Sequence, residues 1–172
     1  MEIEYVRSRF IKHFDGKTGN IYHSPGRINL IGEHTDYNGG FVFPGAVEQG
    51  IMAEVRPNGQ QTCNVYSIDL KDMVHFKIDD PKGPSATWAR YIYGVVQEMR
   101  ALGVDVKPFN AAFAGDVPLG AGMSSSAALE SCFACALNDL FGDNKVSKWD
   151  MVLAGQATEH KYIGVNCGIM DQ

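Results

Sequence analysis

The stretch PLGAGMSSSAALE, residues 118–130, leads from a short apolar segment into a long one. Gly120 and Gly122 allow the backbone to approach a ligand closely, and the serines that follow stand where a helix would begin. The first amide groups of a helix have no partners within it and lie at the positive end of its dipole. The stretch therefore predicts an anion-binding loop at the start of a helix.

The spacing of these glycines differs from that of two common nucleotide-binding loops. No Gly-Lys-Ser/Thr follows them, as it would in a Walker A loop, and the third glycine of the dinucleotide-binding fingerprint is missing. A plain Gly-Ser loop that caps a helix would account for one serine, but not for three in a row. We therefore interpret the loop as a phosphate-binding site of another kind.

On both sides of this loop, the spacing of apolar residues predicts a mixture of helices and strands. Helices are predicted over about 2–14, from Trp88 to Leu102, directly after the loop, and over about 148–161, where Ser147 and Asp150 resemble a capping box. Runs typical of strands are NIYHS, FVFPGAV, IMAEV, TCNVYSI, MVHFKI and FNAAFAGDV. The first half of the chain thus resembles a sheet.

Composition limits the classes of partner. The chain has 172 residues, of which 45% are hydrophobic, so it can bury one core. Its net charge of -5 argues against nucleic acid, and no apolar run approaches the roughly 18 residues that a membrane span needs. The charged N-terminal stretch does not resemble a signal peptide. We therefore expect a cytoplasmic protein without nucleic-acid or membrane partners.

A second stretch, GRINLIGEHTDYNGG at residues 26–40, is crowded with polar side chains. Its apolar residues are Ile28, Leu30 and Ile31, which we expect to anchor the strip in the core. The polar residues are Arg27, Asn29, Glu33, His34, Asp36, Tyr37 and Asn38. Buried polar groups need hydrogen-bond partners, so the stretch predicts a site for a polar ligand.

The third stretch is EHKYIGVNCGIMDQ, residues 159–172. A helix is predicted to end near Tyr162, and Gly164 and Gly168 then carry the chain through turns to Asp171. Taken alone, an aspartate in this setting is more typical of a turn or a cap than of a catalytic site. Its importance rests on the two other stretches.

Together and in this order, the three stretches resemble the galactokinase family of the GHMP small-molecule kinases. PLGAGMSSSAALE is similar to the motif of the whole superfamily, and the other two resemble galactokinases. The resemblance implies a two-layer α+β GHMP-kinase N-terminal domain over 1–172, with a mixed β-sheet, helices on one face and a left-handed β-α-β unit. It also implies a galactose-binding segment at about 22–45 and a phosphate-binding loop at about 116–130.

The activity implied by the resemblance is transfer of the γ-phosphoryl group of ATP to the anomeric hydroxyl of α-D-galactose, with Mg²⁺, which gives galactose 1-phosphate. Ser126 and Glu159 match the family's Mg²⁺ positions, and both supply the hard oxygen atoms that this ion prefers. The implied phosphate contacts are Gly120, Gly122, Ser124, Ser125 and Ser126.

The resemblance also implies the sugar contacts and the catalytic pair. Arg27 and Asp171 match the residues at the anomeric oxygen. Asp171 is the simple choice of general base, but a neighbouring guanidinium stabilises the carboxylate and weakens it as a base. Positioning by Asp171 and charge stabilisation by Arg27 are the alternative, because phosphoryl transfer needs little prior deprotonation. The implied sugar contacts are Glu33, His34, Asp36 and Gly168.

Galactokinases are a little over twice as long as this chain, so we expect the family's C-terminal domain to be absent. The activity of the chain by itself stays open, and apolar surface left uncovered is expected to cause self-association. Two other functions remain: a kinase of the same superfamily for N-acetylgalactosamine, and a non-catalytic galactose and ATP sensor. A panel of substrates separates the first, and ligand binding without ADP release would indicate the second.

Overall fold

The computed structural model describes residues 1–32, 34–117 and 122–172. Within these ranges the chain forms four α-helices and five β-strands. In chain order they are α1 (Ile3–His13), β1 (Asn20–Asn29), β2 (Pro44–Pro57), β3 (Cys63–Ser67), β4 (Asp72–Phe76), α2 (Thr87–Ala101), β5 (Phe109–Gly115), α3 (Ser125–Phe141) and α4 (Lys148–Thr158). A 3₁₀ turn, Asp36–Asn38, follows β1, and a π-helix, Glu159–Ile163, follows α4.

The five strands form one mixed sheet in the order β1-β2-β5-β3-β4. β2 pairs antiparallel with both β1 and β5, whereas β3 pairs parallel with β5 and antiparallel with β4. The runs FVFPGAV and IMAEV, predicted as separate strands, contribute to the single long strand β2. The predicted α+β fold with a mixed sheet is confirmed. The left-handed sense of the β-α-β unit stays a prediction.

The central strands are buried on both faces of the sheet. Ile51, Ala53 and Val55 of β2 belong to the large core under α2, α3 and α4, while Met52 packs with Val6 and other α1 residues in a smaller core. Because successive side chains of a strand point to opposite faces, α1 lies on the face opposite the other three helices. The expectation of helices on one face is therefore correct for α2, α3 and α4 and wrong for α1.

The last two helical segments are the capped α-helix α4 and the π-helix that follows it. The Ser147 hydroxyl accepts a hydrogen bond from the Asp150 amide at 3.1 Å and donates one to the Asp150 carboxylate at 2.6 Å, so the predicted cap of α4 is confirmed. The α-helix stops at Thr158, and the chain continues as the π-helix up to Gly164, whose φ is 84°. None of the helices in the described ranges is long and apolar enough to cross a membrane.

A core substitution tests this packing. Phe133 is fully buried on α3, with its ring 6.2 Å from Phe109 and 6.1 Å from Phe113, measured between ring centroids. We expect Phe133→Ala to lower the free energy of unfolding by about 3–5 kcal/mol, because it removes buried surface and leaves a cavity. Urea unfolding followed by circular dichroism measures this change. Trp149→Ala, at a side chain that is 58% exposed, should cost less than about 1 kcal/mol.

Candidate active site

The site begins at an irregularity in β1. The pairing of β1 with β2 shifts register between Pro25 and Arg27. At Gly26, a β-carbon would lie 2.6 Å from the carbonyl oxygen of Met123, which is too close for any side chain. The Arg27 amide donates a hydrogen bond to the same carbonyl at 3.2 Å. Glycine at this position therefore lets the strand lie directly against the segment that precedes α3.

The Arg27 side chain connects all three sequence stretches. Its Nε donates to Asp171 Oδ1 at 2.9 Å, and its Nη2 donates to the same oxygen. Its Nη1 donates to the carbonyl oxygen of Gly122. The arginine side chain is 16% exposed and the aspartate 30%, so the pair is largely withdrawn from water. The structure thus brings the predicted catalytic residues into direct contact.

Asp36 makes a second link to the end of the chain. Its carboxylate accepts hydrogen bonds from the backbone amides of Ile169, at 3.2 Å, and Met170, at 3.3 Å. A β-carbon at Gly168 would overlap this carboxylate, so any other residue there would displace the Asp36 side chain. The structure therefore brings Asp36 close to Gly168 and Asp171, although the 3₁₀ turn and the end of the chain are far apart in the sequence.

An open cavity of about 460 Å³ lies beside Asp36 and Gly168, within the usual size range of small-molecule sites. Its wall is ordered by the Cys167 carbonyl oxygen, which accepts a hydrogen bond from Gln156 Nε2 at 3.2 Å and lies 2.9 Å from His160 Nε2. The lining residues are Asp36, Tyr37, Gln156, His160, Asn166, Cys167, Gly168 and Ile169. The cavity can hold a polar molecule of the size of a sugar.

The remaining part of the polar strip is more exposed than expected. His34 is exposed, with Nδ1 2.7 Å from the Tyr37 hydroxyl, and Glu33 lies outside the described residues. Ile28, Leu30 and Ile31 are 43%, 64% and 73% exposed, so the expectation that they anchor the strip in the core is wrong. The backbone of Leu30 and Ile31 pairs with Phe43, which is itself exposed, instead of packing under a helix.

The start of α3 has the features of an anion site. Gly122 and Ser124 both have positive φ, of 66° and 54°. Ser124 is the N-cap residue, yet its side chain caps nothing, and its buried hydroxyl has no hydrogen-bond partner among the described residues. A buried hydroxyl without a partner is costly, which favours a ligand that supplies one. Ser125 and Ser126 begin the helix, and Gly120 lies outside the described residues.

Ser126 and Glu159 meet between α3 and the π-helix. Burial raises the pKa of Glu159, a hydrogen bond from the Ser126 hydroxyl opposes this rise, and the Asp171 charge adds to it. The Glu159 side chain is almost fully buried. The Ser126 hydroxyl and the Glu159 carboxylate supply two oxygen atoms of the kind that a hard cation prefers.

One buried carboxyl received no role in the sequence-based predictions. Glu130 of α3 is fully buried, and burial together with the charge of Glu159 raises its pKa to about 9, with a smaller contribution from Asp171. Gln172 Nε2 donates a hydrogen bond to Glu130 Oε2 at 3.3 Å. The signal in the sequence was a glutamate within the apolar run AALESCFACAL, where a helix has no polar face to place it on.

The contact between Asp36 and Gly168 can be tested without a ligand. In Gly168→Ala, the new methyl group displaces the Asp36 carboxylate from the amides of Ile169 and Met170. We expect hydrogen exchange at these amides to accelerate by roughly tenfold, the effect of losing one charge-assisted hydrogen bond. Gly45→Ala is the matched control, because a β-carbon there meets nothing within 4 Å. Equal exchange rates in the two variants would contradict the contact.

Two family profiles match two separate parts of the chain. The profile described as the galactokinase galactose-binding signature matches residues 8–57, which contain Arg27 and Asp36. The profile described as the GHMP kinases N terminal domain matches residues 90–172, which contain the serines of α3, Glu159 and Asp171.

Related sequences cover the whole chain. A galactokinase from Clostridium perfringens is 40% identical over 100% of this chain and 45% of its own length. One from Roseiflexus is 41% identical over 97% of this chain and 42% of its own length. The chain thus spans less than half the length of these relatives.

Solved structures agree with the sequences. Lactococcus lactis galactokinase, crystallised in complex with galactose, has a TM-score of 0.90 and 36% identity over 98% of this chain and 45% of its own. Methanococcus jannaschii mevalonate kinase, with a TM-score of 0.74 and 17% identity over 91% of this chain and 50% of its own, shares the fold. The chain belongs to the galactokinase family of the GHMP kinases and corresponds to the N-terminal region of those enzymes.

Proposed function

We propose that this chain supplies the sugar- and phosphate-binding region of a galactokinase, which transfers the γ-phosphoryl group of ATP to the anomeric hydroxyl of α-D-galactose. The observation that carries the proposal is the Arg27 side chain, which contacts Asp171 and the Gly122 carbonyl at once. It brings a carboxylate suited to a sugar hydroxyl next to a loop suited to phosphate. In this proposal, residues 1–172 form the GHMP-kinase N-terminal domain, with a galactose-binding segment at about 22–45 and a phosphate-binding loop at about 116–130.

The sugar site is assigned to the polar strip and the end of the chain. Asp36 is already held by two backbone amides, so its orientation is fixed before a sugar arrives. A fixed carboxylate distinguishes epimers, because a hydroxyl in the wrong orientation leaves it without a partner. The match to a galactose-binding signature and the galactose complex of the Lactococcus lactis relative support this assignment. The proposed contacts are Glu33, His34, Asp36 and Gly168.

The phosphate site is assigned to the start of α3. The phosphates of ATP would accept hydrogen bonds from the unpartnered Ser124 hydroxyl and from the first amides of the helix. The proposed contacts are Gly120, Gly122, Ser124, Ser125 and Ser126.

Ser126 and Glu159 fit Mg²⁺. Among the described residues there is no group of three or more His, Cys, Asp or Glu that could hold a metal ion. Mg²⁺ does not require one, because proteins hold it through one or two side chains together with substrate phosphates and water. When bound, the ion would neutralise charge on the transferred phosphoryl group.

Asp171 and Arg27 are the proposed catalytic residues. Both hydrogen bonds from the guanidinium fall on Oδ1 of Asp171, so we assign Oδ2 as the acceptor for the anomeric hydroxyl. A loose phosphoryl-transfer transition state needs little prior deprotonation of the hydroxyl. Asp171 therefore orients the hydroxyl towards the phosphate, and Arg27 stabilises the charge that develops during transfer.

The exposed apolar side chains near the sugar site bear on how the chain associates. Phe41 is fully exposed, and Leu30, Ile31 and Phe43 are more than half exposed. Soluble monomers rarely present such a group together. We propose that the chain by itself self-associates through this surface.

Release of ADP in the presence of Mg²⁺, ATP and sugar tests the proposed reaction. The assay is made on the 172-residue chain and on a chimaera in which the C-terminal part of Lactococcus lactis galactokinase follows Gln172. We expect galactose-dependent release by the chimaera and little with glucose or N-acetylgalactosamine. Asp171→Asn and Arg27→Met should lower kcat by roughly a thousandfold, because each removes a group that acts in the transition state.

The outcomes separate the three functions. Equal turnover with N-acetylgalactosamine would favour the related sugar kinase, and galactose binding without ADP release by the chimaera would favour a sensor. Asp105→Asn, at an exposed carboxylate paired with Lys107, is the matched control and should leave kcat unchanged. Retention of more than a few per cent of kcat by Asp171→Asn or Arg27→Met would remove that residue from the catalytic pair.

The metal assignment makes a separate prediction. In the chimaera, Glu159→Gln keeps the size of the side chain but removes the negative charge, so we expect the Mg²⁺ concentration for half-maximal activity to rise roughly tenfold or more. The dissociation constant of galactose, measured by calorimetry without nucleotide, should change less than about twofold because the variant leaves Asp36 in place. Glu48→Gln, at an exposed side chain, is the control. An unchanged Mg²⁺ requirement would contradict the assignment.

A further inference from the structure

The side chains of Glu130, which is fully buried, and Gln172, which is half-buried, lack hydrogen-bond partners for two buried oxygen atoms among the described residues. Gln172 Nε2 donates to Glu130 Oε2 at 3.3 Å. The second oxygen of Glu130, Oε1, and the single side-chain oxygen of Gln172, also Oε1, are buried and have no partner among the described residues. Gly155 of α4 makes room for this arrangement, since a β-carbon there would lie 2.8 Å from Gln172 Cγ and 3.3 Å from Glu130 Oε2.

An ionised Glu130 cannot provide hydrogen bonds for these two oxygen atoms. A carboxylate only accepts hydrogen bonds, and so does the carbonyl oxygen of a glutamine side chain. A protonated carboxyl group, in contrast, has one donor and one acceptor, and a primary amide has both as well. A carboxylic acid and an amide can therefore form two reciprocal hydrogen bonds, in which every one of the four groups is satisfied.

The surroundings favour the neutral form of Glu130. It is fully buried on α3, and the charged groups that act on it are the carboxylates of Glu159, from the π-helix, and Asp171. Burial opposes a negative charge on Glu130 and is the main cause of its raised pKa, and the charges of Glu159 and Asp171 add to the rise. Burial also raises the pKa of the nearby Tyr91 hydroxyl, and the charge of Glu159 adds to that rise.

We propose that Glu130 is a neutral positioning residue that forms a reciprocal acid–amide pair with Gln172 and thereby fixes the adjacent Asp171. Asp171 is then held from two directions, by Arg27 through its side chain and by Gln172 through the backbone. The catalytic meaning of this arrangement rests on the proposed function, whereas the pair itself does not.

Four variants of the 172-residue chain test the pair through its melting temperature. Glu130→Gln can form the same two hydrogen bonds as an amide–amide pair, so its melting temperature should stay within about 2 °C of the original. Glu130→Leu and Gln172→Leu each leave a buried partner unsatisfied and should lower it by roughly 5 °C. The double variant should lose clearly less than the sum of the two single losses. Glu48→Gln controls for the change in net charge.

A nuclear magnetic resonance measurement tests the positioning role. The Arg27 Nε proton, which lies in the hydrogen bond to Asp171, should resonate at an unchanged position in Glu130→Gln. In Glu130→Leu, it should move towards the value of an unpaired arginine, a change that loss of stability alone would not produce in the folded state. Gln172→Leu should cause the same shift.

Two results would overturn the proposal. If Glu130→Gln is as damaging as Glu130→Leu in the melting temperature, then Glu130 acts as a charge and not as a neutral partner. If the Arg27 signal is unchanged in both leucine variants, the pair is structural and does not position Asp171. Neither readout uses galactose or ATP, so a failure of the proposed kinase function would appear in the ADP assay and leave these results interpretable.

Discussion

The arrangement of the site depends on the ion pair between Arg27 and Asp171. It joins a residue of the first strand to the last residues of the chain, and the same guanidinium contacts the loop before α3. An arginine suits this task because its planar group donates in several fixed directions at once. Asp36 repeats the link by accepting from the amides of Ile169 and Met170. The sugar side and the phosphate side of the proposed reaction thus share one set of contacts.

The sheet makes these contacts possible. β2 and β5 are buried on both faces, between α1 on one side and α2, α3 and α4 on the other, so they form a rigid support. β1 is an edge strand of this sheet and is free to bend at Gly26 towards Met123. Behind the site, burial raises the pKa of both Glu130 and Glu159, and the charge of Glu159 adds to the rise at Glu130. We propose a cation at Glu159 and a proton on Glu130, since burial disfavours an uncompensated negative charge at either position.

Several features were predictable because they depend on residues close together in sequence. The Ser147 cap, the apolar stripes of α1 and α2, and a helix beginning at the serines of α3 were predicted from spacing alone. Features that depend on which residues bury a side chain could not be predicted in this way. Ile28, Leu30 and Ile31 form an apolar group that no described element buries, and α1 lies on the unexpected face because β2 offers apolar residues on both sides.

The sequence by itself determined the family, the α+β class and the chemical types present at the site, since these follow from motifs whose residues are neighbours in the chain. The tertiary structure decided which of those residues meet. Arg27 and Asp171 are separated by 144 positions, and no local pattern reports a contact over that distance. The environment of Glu130 also depends on residues that are distant in the sequence. Its burial and its proximity to Glu159 and Gln172 arise only when α3, the π-helix and the end of the chain pack together.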